Sequence, residues 1–238
     1  MTLDLRGPVY SALSVALAIA SAQPRSALAD EGGVSFWTPG QYGSFAAIAP
    51  SPGWSLPLVF YNYGGSVGAQ QPLKRGHLFT TGLSGSIDGV FVVPTYTLGA
   101  TILGAIPSFS IAYMPAYSAA SANIGLGPLS LFRSDFIWGG SDLYPTAQLF
   151  WDRGVNNFMA YLTGDIPVGS YDPDRLANIG VGHGAIDGGG AYTYLNTKTG
   201  AEFSATLGFT GNFTNPSTNY TNGLDSHLDL AASQFLNQ

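Results

Sequence analysis

The sequence predicts an all-β protein, an antiparallel transmembrane β-barrel of the outer-membrane type, and three observations carry that expectation. The first is the stretch GAEFSATLGFTGNF. Its Ala201, Phe203, Ala205, Leu207, Phe209 and Phe213 alternate with Glu202, Ser204, Thr206, Thr210 and Asn212. A period of two belongs to a strand with one apolar and one polar face. The second is composition: 9% of residues are charged, 13% are aromatic and 32 of the 238 are glycine. A soluble domain carries roughly 25% charge, so this chain would struggle to cover a surface facing water. A wall that turns its apolar rows to lipid has no such difficulty. The third is the N-terminus, which reads as an export signal.

That signal comes first in chain order. Residues 1–29 contain Arg6, an apolar segment from Val9 to Ala22, and Ala27-Leu28-Ala29 before Asp30. This is the pattern of a secretory signal peptide with an A-x-A cleavage site, although Asp4 makes its start less positive than usual. The apolar part is too short to cross a bilayer as a helix, and no other apolar run reaches the ~20 residues needed. An exported chain of this kind is periplasmic, extracellular or in the outer membrane.

Residues 30–54 form a leader rich in Gly, Pro and aromatics with neither helical nor strand periodicity, turning at Pro39-Gly40 and Pro52-Gly53. From Ser55 onward alternation rarely stops, so residues 55–238 read as barrel strands, about eight in number. The strands are carried by SLPLVFYNY, LFTTGLSGSID, AIPSFSIAYMPAY, DLYPTAQLFWD, NNFMAYLTGDIPVG, VGHGAIDGGGAYTYLN, the stretch quoted above and LDSHLDLAASQFL. Their polar rows collect Asp88, Asp142, Asp165, Glu202 and Asp229, which a barrel would turn to its lumen. Aromatics near the strand ends (Tyr61, Tyr63, Tyr113, Tyr117, Trp151, Tyr192, Tyr194) suit an interfacial girdle.

Long connections at 64–76, 119–140, 169–179 and 214–223 alternate with short turns near 99–103, 152–156 and 196–200, provided that 77–98 is one strand. Its apolar phase slips by one at Asp88-Gly89, which a β-bulge would explain. Asp-Gly is also a hairpin signal, so a turn there stays open; loop alternation favours the bulge.

Several segments together carry a family resemblance. They are DEGGVSFWTPGQYGSFAAIAPSPGWSLPLVFYNY, VFVVPTYTL, DLYPTAQLFW, HLDLAASQFL and the long block YLTGDIPVGSYDPDRLANIGVGHGAIDGGGAYTYLNTKTGAEFSATLGFTGNF. From about Asp30 to the last residue the chain resembles the outer-membrane family associated with the meta-cleavage pathway of phenol degradation. The resemblance implies a barrel in the outer membrane of a Gram-negative bacterium that transports aromatic or other hydrophobic compounds. It assigns no binding residue. The family extends further, and this chain stops at SQFLNQ without the terminal aromatic that the barrel-assembly machinery reads. A C-terminally truncated barrel is therefore expected.

Enzymatic chemistry finds little support. His77, His183 and His227 are the only histidines, and Ser226 and His227 would point to opposite faces of a strand. GHGAIDGGG lacks the spacing and lysine of a phosphate loop. Asp172 and Asp174 have a calcium-like spacing without the remaining ligands. The absence of cysteine removes disulfides, thiolate metal sites and thiol nucleophiles. A net charge of −6, with no basic cluster larger than Lys74-Arg75, argues against nucleic acid. Neither a cofactor nor a metal is expected.

The expected partners are outer-membrane lipid, the assembly machinery and a hydrophobic or aromatic small molecule. For that molecule Trp37, Tyr42, Phe45 and Trp54 of the leader would offer stacking surfaces inside the lumen. The alternative is a structural or surface-interaction barrel without flux.

Overall fold

The computed structural model describes residues 36–38, 40–72, 78–126 and 129–236. The signal peptide, the first residues of the leader, Lys74-Arg75 and His77 lie outside the described residues. Among those described, every regular element is a strand and every pairing is antiparallel. An eight-stranded sheet runs in the order β1 (Gly53–Ser55), β4 (Thr95–Thr97), β5 (Ile106–Ala112), β8 (Tyr144–Arg153), β9 (Asn156–Asp165), β10 (Ala185–Asn196), β11 (Ala201–Asn212), β12 (Leu224–Gln234). A four-stranded sheet runs in the order β2 (Leu58–Pro72), β3 (Leu78–Val92), β6 (Pro115–Leu126), β7 (Leu129–Gly140).

The two sheets share their strands. Ser55 pairs with Thr95 and Leu58 with Val92, one register on either side of Pro57 and Pro94. β1–β2 and β3–β4 are thus one long hairpin whose ladder lapses where proline has no N–H to donate. β5–β6 and β7–β8 continue the pattern, so eight runs meander up and down, and the first four rise beyond the rest. No pairing among the described residues joins β12 to β1 or β2, so ring closure is not seen.

Two expectations about connections are corrected. The segments 64–76 and 119–140 are mostly strand, occupied by β2, β6 and β7. The long connections are 166–184 and 213–223; turns such as 154–155 and 197–200 are short.

The bulge expected at Gly89 is also absent, as is a hairpin there. Pairing runs without a slip from Leu58↔Val92 to Pro72↔Leu78, and from Phe79↔Leu126 to Gly89↔Ala116. A side chain at Gly89 would meet Met114 and Ala116, on the same side as the buried Thr95 and Thr97. Odd-numbered residues therefore keep to one side throughout. What changes at Asp88 is the polarity of the faces. Below it the outward residues are apolar. Above it they include the register row Ser66–Ser84–Ser121–Ser134, with Ser84 and Ser121 hydroxyl oxygens 2.8 Å apart.

A bulge does occur at 141–143. Ala112 pairs with Tyr144 but Pro115 with Gly140, so two residues oppose three. The extra residue turns odd-numbered positions inward in β7 and even-numbered ones inward in β8.

Candidate functional site

In the eight-stranded sheet the polar rows are the buried ones. Ser108, Asn157, Thr163, Asp165, Asp187, Thr193, Glu202, Ser204, Thr206 and Thr210 are all buried. The alternate residues of these strands and of β12 point outward: Phe109, Ile111, Leu162, Ile186, Leu207, Leu228 and Leu230 are each about half exposed or more. Aromatic pairs on this outer side flank the band, Trp54–Tyr96 and Phe158–Tyr192 at one end and Tyr117–Trp138 at the other.

The described part of the leader lies on the inner face, where strand side chains take up its free amides. Gly40 and Tyr42 donate from their backbone N–H groups to the two carboxylate oxygens of Asp229, at 3.0 and 3.3 Å. Phe45 N–H donates to Glu202 at 3.1 Å and Ala47 N–H to Thr193 Oγ1 at 2.9 Å. An irregular segment has no ladder of its own, so these acceptors replace one. Glu202 is completed by Ser204 and Ser233 at 2.5 and 2.8 Å.

Farther into the interior from these latches, Trp37, Ala47, Phe150, Met159, Tyr161 and Ala191 form a buried apolar cluster. The Trp37 ring lies flat on His227, centroids 3.5 Å apart and planes inclined by 13°. His227 Nε2 is 2.9 Å from Asp187 Oδ2, which also accepts from Thr210 Oγ1 at 2.5 Å. Glycine makes the room: a Cβ on Gly208 would lie 2.0 Å from the Tyr161 hydroxyl and 2.5 Å from the His227 ring. The period-two pattern places His227 on the polar face, but only the cross-strand register brings it to Asp187.

The connection 166–184 folds back against the other end of the interior. Asp142 accepts from Gly169 N–H at 2.6 Å and Val181 N–H at 2.9 Å. Ile179 is buried against Met114 and Ala116. Arg175 grips Asp135 through two nitrogens at 2.8 and 3.1 Å, and Leu176 and Ala177 amides donate to the same carboxylate. With the guanidinium as chief cause, the Asp135 carboxyl is held down to about 2, against a smaller opposing effect of partial burial. Its partner Arg175 is correspondingly raised. Sequence reading passes over Asp135 and Arg175, because 119–140 reads as a loop and the pair are 40 residues apart.

The residues singled out from sequence divide accordingly. Trp37 and Tyr42 meet inside, 5.6 Å apart, with Tyr42 5.2 Å from Tyr161. Phe45 sits at the rim against Phe235, 38% exposed. Trp54 is not brought to them. It belongs to β1, pairs across with Tyr96 and is 77% exposed on the outer side, because the turn at Pro52-Gly53 has already ended the leader. Asp142, Asp165, Glu202 and Asp229 face the interior, whereas Asp88 does not. Asp88 hydrogen-bonds Asn62 on the outer side, in the row Asn62–Asp88–Tyr117–Trp138.

No group of three or more potential metal ligands occurs among the described residues. The chain matches the family model described as "Putative MetA-pathway of phenol degradation" over residues 37–238. No curated protein and no solved structure matches it.

Proposed function

We propose, for a chain that belongs to the family of the MetA-pathway of phenol degradation, that it works as an outer-membrane barrel. In this reading it passively admits hydrophobic or aromatic small molecules, and the leader acts as its internal gate. The observation that carries this reading is the inverted polarity of the eight-stranded sheet, with Glu202, Thr206 and Thr210 buried and Phe203, Leu207 and Phe209 about half exposed. In water that arrangement is unfavourable at both faces, since apolar area outside loses roughly 25 cal/mol per Å². In a bilayer it is the stable one. Strands of 10 to 12 residues from β8 to β11 suit the ~9–11 residues that a tilted strand needs to span hydrocarbon.

Between its carboxylates, the interior offers a passing solute a run of aromatic rings. Centroid spacings of 5.7 Å for Phe36–Tyr144, 6.2 Å for Phe91–Tyr144 and 5.8 Å for Tyr61–Phe91 make a chain of rings from the leader towards the four-stranded extension. Such faces bind an apolar solute by dispersion and give ions nothing.

The four amides latched to Asp229, Glu202 and Thr193 favour a second reading, a closed structural barrel without flux. Uptake into proteoliposomes separates the two. Removing residues 30–50 should speed entry of a hydrophobic aromatic severalfold under the transport reading. Rates equal to those of empty liposomes, with and without the leader, would leave the structural barrel.

A further inference from the structure

We propose that Asp165, beside Tyr144 and the leader's Phe36, is the acceptor for the ring hydroxyl of a phenol-type solute held in the interior. This inference rests on the transport reading and assigns it a specificity-determining residue.

Asp165 is 5% exposed, and neither carboxylate oxygen has a hydrogen-bond partner among the described residues. The other interior carboxylates are supplied: Asp229 by Gly40 and Tyr42, Glu202 by Phe45, Ser204 and Ser233, Asp142 by Gly169 and Val181, Asp187 through Oδ2 by Thr210 and His227. A buried carboxylate without a donor is strongly unfavourable, and such orphan groups concentrate where a ligand completes them.

The surroundings select the donor. The Leu143↔Ile166 bridge and the Thr146↔Thr163 pair put Tyr144 directly across from Asp165 on the inner face. On their far sides the same row continues with the small side chains of Ala185 and Ala112. Phe36 and Phe91 stand 5.7 and 6.2 Å from the Tyr144 ring. A cation would want a second free carboxylate, but the neighbouring Asp142 has both oxygens committed to amides. A flat ring carrying an acidic hydroxyl satisfies both halves of the site. It adds dispersion against the aromatics and a hydrogen bond to a buried carboxyl oxygen that otherwise lacks one.

The test is ¹⁹F NMR titration of the full chain in lipid nanodiscs, with empty nanodiscs as blank. 4-Fluorophenol is compared with 4-fluorotoluene, which has its shape but no hydroxyl. In the unaltered protein the phenol should bind about tenfold more tightly. Asp165→Leu should erase that preference and leave 4-fluorotoluene unchanged, while Asp165→Asn, which keeps an acceptor, should retain part of it. Heat-modifiable gel mobility confirms that both variants fold. A phenol preference that survives Asp165→Leu overturns the site, as does equal binding of both probes by the unaltered protein; in either case the transport reading stands. Binding of neither probe overturns both.

Discussion

Gly208 and Asp135 show how much can rest on single residues. A methyl at Gly208 would collide with both Tyr161 and His227, the two rings on which Trp37 lies. Gly208→Ala should therefore loosen the leader and increase protease cleavage within 36–50 severalfold, whereas Gly188→Ala, whose nearest contacts are at 3.6 Å, should not. Trp37→Ala removes the buried ring itself, a change that costs about 3 to 5 kcal/mol in a closed core, and should expose the leader at least as much. Asp135 makes a pH prediction. Its folded value of about 2 lies below the ordinary carboxylate value, so its contribution is complete above about pH 4 and fades as pH falls towards 2. Cleavage within 166–184 should be flat from pH 7 to 5 and rise only below about 4. Asp135→Asn should raise it at pH 7.

At the scale of elements, β3 carries the boundary between two environments. Its register is uniform and its sidedness constant, yet the apolar residues change sides at Asp88. A cysteine pair at Ser84 and Ser121, whose hydroxyls lie 2.8 Å apart, should form a disulfide readily. A pair at Thr80 and Thr97 should not, since they are about 55 Å apart along one run at the usual rise per residue. Ready cross-linking of the second pair would mean a hairpin at Asp88-Gly89. β11 tests the faces directly: cysteines at Phe203, Leu207 and Phe209 should react with a lipid-soluble reagent, and those at Ser204 and Thr206 should not. The reverse labelling would contradict a bilayer outside.

For the whole molecule, the interior is bounded by the leader at one end and by 166–184 at the other. Each is held by hydrogen bonds to strand carboxylates rather than by pairing in the sheet. Such attachments open at lower cost than a ladder strand, which suits segments that must move. Deleting 30–50 should leave detergent-resistant, heat-modifiable folding intact, because no strand pairing involves the described residues of that segment. It should raise single-channel conductance in planar bilayers. Loss of folding would show instead that the leader is part of the core.

The sequence by itself determined most strands of the eight-stranded sheet, their two unlike faces and which residues share each face, because a period of two records sidedness locally in every strand it marks. Phe203 against Ser204 and Leu162 against Thr163 needed nothing else. It was less informative in β6, where Ser, Ala, Asn and Gly fill both faces, and in β7, where Leu129, Leu131, Phe132, Phe136 and Trp138 keep no single phase. At Asp88 it could signal a change of phase but not its cause, because a bulge and an exchange of environment write the same pattern. Only the tertiary structure decided that the strand stays straight there and that the extra residue falls at 141–143. Only it placed Trp37 on His227, Trp54 outside, and Asp165 without a donor among the described residues. These depend on which distant strands lie side by side, and register across tens of residues leaves no local mark in a chain.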